Sequence, residues 1–392
     1  MTACWRRNRE LNEMFRLLDR YLLRNFVRMF CISLFVFSAM FVIVDAFNNL
    51  EEFIEYGKEG GGVLVVVYKY YRVHVLPMVD MLSPLLVLLA AILTLTTMKR
   101  AQEMTAIMAA GVAPLRVVRP LLMAGVAVSL LGVANREMVV PRFRDELSRN
   151  AQNWLGEQAF PVEARYDHQT NIYINGEKSY ANEKRISAPS FRLPSSMHQF
   201  ARQLHARDAF YQRAETDRPG GYLLRGVTSP QDLDSREPVV VAGQPVILTS
   251  RGTDWLSPRE CFVVSEVGFH QLAAGESWRS YASSRELVKG LHNPSLDFGA
   301  DVRFAIHSRF VRPLLDVILL CLVLPIVLAR RNANPFKIAF KCFLLVVGFR
   351  IVLIGCEHLG GNYYLLSPAL AAWLPAMVFA PIAMWSMHSL WE

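Results

Sequence analysis

Arg72, Arg309, Arg312 and Arg350 stand in or beside long apolar runs of this sequence. A charged side chain at the centre of a bilayer costs about 2.5–3.5 kcal/mol on insertion scales, so each needs a reason to be there. Two reasons fit. The four guanidinium groups fall at one depth if the runs are membrane helices, and could ring a cavity that holds lipid phosphates by paired hydrogen bonds. Alternatively they pair internally with Asp45, Asp80, Asp316 or Glu357. Asp316 lies one helical turn from Arg312 and is its natural partner. Arg350 is also near enough to the end of its run to reach the membrane surface.

Glu103 offers a different chemistry. It lies in Ala101 to Gly111, which reads as a short helix ended by glycine. Its carboxylate could pair with Lys99 or Arg100 three or four residues earlier, worth a few tenths of a kcal/mol. It could instead meet an arginine on another protein. His74, His307 and His358 fall near one end of their runs and read as interfacial polar contacts, or as a catalytic cluster if folding gathers them. Ser83-Pro84 and Ser367-Pro368 lack triad spacing and suit helix bending.

Some chemistries are excluded. No GxxxxGK[ST] sequence is present, so any ATP must be hydrolysed by a partner. No CxxC pair or zinc pattern occurs, and no cofactor or metal is expected. Only Cys261 among Cys4, Cys31, Cys261, Cys321, Cys342 and Cys356 falls outside the apolar and N-terminal stretches, so no disulfide can close within the polar middle of the chain.

Those residues need elements to place them. Hydrophobic residues make up 53% of the chain and charged ones 19%, with mean hydropathy +0.23, but the first third and last quarter carry most of the apolar content. About 20 apolar residues cross a hydrocarbon core. Six runs qualify: Phe26 to Phe47, Val73 to Thr97, Leu115 to Asn135, Phe310 to Ala329, Phe336 to Cys356, and Tyr364 to Met387. The first is too long for a cleaved signal and has no small-residue cleavage site after it.

Loop charge sets orientation. Arg6, Arg7, Arg9, Arg16, Arg20, Arg24 and Arg28 precede the first run. Lys99, Arg100, Arg116 and Arg119 follow the second, and Arg330, Arg331 and Lys337 follow the fourth. Glu51, Glu52, Glu55, Glu59 and Glu357 mark the alternate loops. Both termini are therefore expected in the cytoplasm and the polar middle outside. The net charge of +8 and pI near 9.2 arise beside the apolar runs, which points to anionic headgroups and against nucleic acid.

The middle of the chain reads as β. Asn171 to Gly176 alternates polar with apolar and ends in Asn-Gly, a hairpin signal. Tyr222 to Arg225, Pro238 to Val241, Val246 to Leu248 and Cys261 to Val264 extend the series, whereas Arg142 to Trp154 reads as a helix prolonging the third run. A sandwich, jelly roll or open barrel suits this spacing. Such a module is either a folded spacer or a sheet whose apolar face passes a lipid onward. The expected fold is an α-helical membrane protein with six transmembrane helices, 3+3, and an inserted external β domain. Its parts are residues 1–136, 137–305 and 306–392.

This layout resembles the LptF/LptG (YjgP/YjgQ) permeases of the lipopolysaccharide-export ABC transporter. Leu18-Asp19-Arg20-Tyr21-Leu22-Leu23-Arg24 is similar to the start of the family's first helix, and Glu103 through Ala109-Ala110-Gly111-Val112 to its cytoplasmic "E…AAG(I/V)" segment. Arg309 to Pro313 resembles the basic start of its fourth helix. Leu359-Gly360-Gly361, Ser367-Pro368-Ala369 and Ala371 to Pro375 resemble its last two. The opening and the run Val44-Asp45-Ala46-Phe47 to Glu52-Phe53-Ile54 look more like LptG than LptF.

The resemblance makes the external β domain a periplasmic β-jellyroll-like domain. It implies an inner-membrane permease subunit, not an enzyme, that extracts lipopolysaccharide or a related lipid. Its implied partners are two copies of an LptB-like cytoplasmic ATPase, a second LptF/LptG-type permease and an LptC/LptA-like periplasmic bridge. It makes Glu103, with Gly111, the ATPase-coupling residues, and Arg72, Arg309, Arg312 and Arg350 candidates for lipid binding. Two departures are visible. No basic residue follows near Met108, and none lies between Arg28 and Lys58, where the family commonly has them. The alternatives are a non-transporting subunit that transmits ATPase motion, or an interfacial lipid-modifying enzyme.

Overall fold

The computed structural model describes residues 2–59, 61–147, 159–180, 182–198, 200–215, 218–241, 243–273, 280–295, 299–328, 335–361 and 366–388. Among these, six helices are long and apolar enough to cross a membrane, three before and three after a sheet in the sequence. The first half comprises α1 (Thr2–Asn48), α2 (Leu50–Glu59), α3 (Val63–Arg100), α4 (Glu103–Ala109) and α5 (Pro114–Ala134). After α5 the chain passes through a π-helical turn, Asn135–Val139, and a tighter 3-10 turn, Val140–Phe143, into α6 (Arg144–Leu147).

The eleven strands are β1 (Phe160–Pro161), β2 (Arg165–Asp167), β3 (Ile172–Asn175), β4 (Lys178–Tyr180), β5 (Arg185–Ser187), β6 (Ser190–Arg192), β7 (Gln203–Gln212), β8 (Gly221–Ser229), β9 (Val239–Val241), β10 (Gln244–Thr249) and β11 (Glu260–Val264). Two short helices follow, α7 (Phe269–Ala273) and α8 (Ser284–Leu291). Then come the last spans, α9 (Ala300–Leu328), α10 (Pro335–Gly361) and α11 (Pro368–His388).

The chain divides into two compact units. One holds residues 1–50, 67–140 and 299–392, the other 51–66 and 141–298.

The helices outrun the apolar stretches that announce them. The second span begins at Val63 rather than Val73, and the fourth at Ala300 rather than Phe310. Helical hydrogen bonds run from residue i to i−4 whatever the side chains, so hydropathy marks only the middle of a helix. The sixth helix starts at Pro368, where Ser367 accepts from the amide of Ala371; Tyr364 lies outside the described residues. Of the expected helix from Arg142 to Trp154, the described part is a 3-10 turn and one α turn. Residues 148–154 lie outside the described set.

The helical core joins all six spans through side chains with little or no exposure, Phe349 of α10 and Ala376 of α11 included. Leu22 and Phe26 come from α1, Ala90, Leu95 and Met98 from α3, Val117 and Leu121 from α5, and Val311 and Val323 from α9. At the far end of α10 a Cβ on Gly360 would stand 2.7 Å from Phe304 and 2.8 Å from Ala371. Glycine there lets α10 close on both neighbouring helices, the small-residue packing expected without a hydrophobic driving force.

The sheet is antiparallel throughout, in the order β1-β4-β5-β7-β8-β11-β10-β9, with β2-β3-β6 as a second path into β7. The long strand β7 makes this fork. Its first residues pair with β6 and later ones with β5 along one edge, while β8 takes the other.

The Asn-Gly pair is not a hairpin. β3 pairs with β2 and β6, whereas β4 pairs with β1 and β5. Gly176 is a crossing point: a Cβ there would lie 2.2 Å from Ile186 Cγ2. The hairpin lies one strand earlier, between β2 and β3, where Asn171 takes the left-handed conformation at φ 57°.

The sheet core is filled by its own side chains, among them Phe191, Leu204, Tyr222 and Leu224. Tyr222 donates its hydroxyl to Val267 O at 2.8 Å, and full burial raises its pKa well above the usual tyrosine range. Cys261 is also wholly buried, and desolvation pushes its thiol up to about 12.

Candidate functional site

Two arrangements in the helical unit gather the residues singled out above. The first is α4. Gln102 opens it at φ 60°, with no side-chain cap, so Glu103 in the first turn meets the positive end of the helix dipole. At the other end Gly111 takes φ 78°, the amide of Val112 bonds to Ile107 O, and that of Gly111 bonds to Met108 O. This is a Schellman ending, which needs a left-handed residue at Gly111.

Met104 is buried and Ile107 packs beside it against the bundle, whereas Ala106, Met108, Ala109 and Ala110 are exposed. The helix is thus anchored on one side and apolar on its free side. Glu103 pairs with neither Lys99 nor Arg100: Tyr21 of α1 donates to its Oε2 at 2.8 Å. Lys99 is used elsewhere, its ammonium donating to Val327 O and Leu328 O at the carboxyl end of α9. A cation there lies favourably against the negative end of the helix dipole.

The second arrangement is an ionic cluster in the half of the bundle away from α4. Arg136 reaches to 3.9 Å from Asp80 and 4.0 Å from Glu137, Arg309 to 3.9 Å from Glu137, and Arg312 to 3.6 Å from Asp80. Prolines explain part of its placement. Pro313 has no N–H for the carbonyl of Arg309, and Arg136 donates to that oxygen at 3.3 Å. Pro84 likewise leaves Asp80 O without its donor, and the Ser83 hydroxyl supplies one at 3.1 Å.

The expected Arg312–Asp316 pair does not form. Asp316 turns to α5 and accepts from Ser129 Oγ at 2.8 Å, while Arg312 turns to α3 and Asp80. Intrahelical spacing permits a contact, but a cross-helix partner in an apolar interior wins because it also satisfies a second buried group. Beneath Asp316 a cavity of about 10 Å³, lined in part by Ser83 and Ser129, has room for one water at most. It is far too small for a lipid headgroup.

The structure therefore joins Arg309 and Arg312 in one cluster, each with an acidic neighbour. Arg72 and Arg350 are exposed on α3 and α10. Asp45 accepts from Tyr71 at 2.6 Å rather than from an arginine. His74 donates from Nδ1 to Tyr70 O and stacks on that ring at 3.8 Å, a structural use. Among the described residues no group of His, Cys, Asp and Glu could hold a metal ion.

Sequence reading missed Arg136, Glu137 and Ser129. Arg136 and Glu137 follow the third apolar run directly, at the boundary between the first part and the polar middle. The available signal was Pro313, which frees the carbonyl that Arg136 takes.

Six helices long and apolar enough to cross a membrane, a short anchored helix with an exposed apolar side and a large inserted sheet define a polytopic membrane protein among the described residues. The chain matches the family described as lipopolysaccharide export system permease LptF/LptG over residues 20–389, and it belongs to that family. It is a membrane-spanning permease subunit of the lipopolysaccharide-export ABC transporter, and the ATPase is a separate subunit. No curated protein matches the chain.

Proposed function

We propose that this chain is the LptG-like half of a permease pair in the bacterial inner membrane. It extracts lipopolysaccharide or a related lipid and hands it to an LptC/LptA-like periplasmic bridge. Both termini and α4 face the cytoplasm and the sheet faces the periplasm, a reading supported by the alternation of basic and acidic loops. Two copies of an LptB-like ATPase serve the pair, one docking on each α4.

The observation that carries this reading is the uneven burial of the spans. Only 6% of the most apolar window of the first span and 11% of the fifth are buried within the chain, against 56% for the fourth. A second permease and the lipid cargo are the natural occupants of those two open faces, Phe35, Phe47 and Phe343 among their exposed residues. Arg350, exposed on the same open span, is the arginine best placed for lipid phosphate, since Arg309 and Arg312 have acidic neighbours within the bundle; Arg72 is a further candidate by its exposure on α3 alone.

On the sheet, β9 ends the strand order and exposes Val240 and Val241. That edge suits strand addition by a bridge.

Glu103→Ala in the assembled complex tests the coupling. We expect ATP hydrolysis to continue and lipid release to fall; release at the normal rate per ATP removes the assignment. Arg350→Ala should weaken phosphorylated lipid more than its dephosphorylated counterpart. Orientation needs an exposed reporter, because Cys261 is buried. Arg207→Cys on β7, at a side chain 83% exposed, should react with an impermeant maleimide from the periplasmic side.

A further inference from the structure

Between α1 and α5, at the end of the bundle that carries α4, lies an open cleft of about 600 Å³. Its mouth is lined by Arg20, Arg116, Arg119 and Asp19, and its deeper wall by Leu23, Pro120, Met123, Ala124 and Ala127. Arg116 donates to Asp19 at 2.7 Å across the α1–α5 seam, so that pair is neutral. Arg20 and Arg119 are exposed and have no acidic partner among the described residues, which leaves the mouth with two uncommitted positive charges. Arg116 also lies in the first turn of α5, whose amino end has no side-chain cap and adds positive potential.

The wall then turns apolar within one helical turn of Arg119. Leu23 and Met123, at 44% and 65% exposed, present a strip that water would not choose to wet.

A doubly basic mouth above an apolar slot of this size matches one chemistry. We infer that the cleft binds an anionic glycerophospholipid from the leaflet on the α4 side, its phosphate held by Arg20 and Arg119 and an acyl chain laid along Leu23, Met123 and Ala127. Guanidinium groups hold phosphate by paired, charge-assisted hydrogen bonds, and basic pockets between spans are the usual seats of such headgroups. A volume near 600 Å³ lies within the range of ligand sites, in contrast to the water-sized cavity under Asp316. The Asp19–Arg116 bridge forms part of its rim. A lipid bound there would bear on the same α1–α5 seam from which Tyr21 holds Glu103, giving membrane composition a route to the coupling helix.

The test uses the full-length chain in its purified transporter complex, titrated in detergent with dioleoyl-phosphatidylglycerol and followed by native mass spectrometry. Dioleoylglycerol provides the same tails without phosphate, and excess inorganic phosphate serves as competitor. We expect one retained phosphatidylglycerol per chain, bound about tenfold or more tighter than dioleoylglycerol, equal to about 1.4 kcal/mol. Arg20→Ala with Arg119→Ala should remove that preference, and the two lysine replacements should keep most of it. Ala127→Trp should expel the lipid with both arginines in place. Lys337→Ala, an exposed cation on α10 outside the cleft, should change nothing.

Equal retention by the wild type and both cleft variants overturns the inference. So does an equal loss on Lys337→Ala, or displacement of the lipid by inorganic phosphate. If the double alanine variant instead sheds the ATPase while keeping its lipid, the cleft belongs to a protein partner.

Discussion

Asp167 in the sheet and Asp80 in the helical bundle are held in different ways. In the sheet, Asp167 is fully buried and tightly bound: Ser265 Oγ donates to its Oδ2 at 2.6 Å, and the amides of Gln169 and Thr170 donate to Oδ1 at 3.0 and 3.2 Å. In the helical unit, Asp80 stands 3.9 Å from Arg136 and 3.6 Å from Arg312, whereas Asp316 keeps a short donor in Ser129 Oγ at 2.8 Å. A carboxylate with a full set of short donors is fixed. Loose ion pairs in an apolar surround can exchange partners at small cost, because several opposite charges stand nearly as close as the current one. The difference separates a carboxylate fixed by short donors from one held by longer ion pairs.

Arg136→Ala should give the largest effect. It strands Asp80 beside Arg312 alone and leaves the Arg309 carbonyl without a donor, which by the cost of breaking a buried pair is about 3–5 kcal/mol. A lower unfolding temperature of the purified complex checks this. A change under about 1 kcal/mol would mean that the cluster repairs itself through its other members.

Asp167→Ala removes the acceptor of three hydrogen bonds and should cost about 2–3 kcal/mol, read as loss of folded sheet. Were the two substitutions equal in cost, loose and tight burial would no longer differ.

Gly111→Ala should cost about 1–2 kcal/mol, locally, because L residues resist positive φ. No atom lies within 4 Å of the added Cβ, so strain rather than collision is responsible. Faster hydrogen exchange confined to α4 would verify it.

The smallest effect concerns pH. Burial raises the Cys261 thiol from 9.0 to about 12. The folded state therefore holds its proton more tightly than the unfolded one. The stabilisation from this group is complete below pH 9 and is lost as pH climbs from 9 toward 12. Cys261 should resist maleimide at neutral pH until the sheet unfolds, whereas an exposed cysteine at position 207 should not.

The legible part of the fold follows from solvent preference. Six apolar runs and their flanking charges specify the spans, and Gly111 and the runs at Val239–Val241 and Cys261–Val264 mark a cap and strands by local chemistry. The strand β7, the longest, escaped notice because Arg207 and Asp208 interrupt its alternation and no glycine or proline turn flanks it closely. The Asn175-Gly176 pair misled for a related reason: a turn dipeptide reports local bending, while strand partners are chosen by which faces must share a core.

Pairing of charges was the least legible. Glu103 and Asp316 each had a plausible partner within one helical turn, and each went to a residue on another helix. Sequence alone determined what must be buried in lipid, what must face water and where the chain must turn, because transfer energies and backbone sterics act residue by residue. Only the tertiary structure decided which arginine answers which carboxylate and where a cleft opens. Those depend on how helices far apart in the chain pack, and a hydrogen bond or ion pair is set by the last few ångströms.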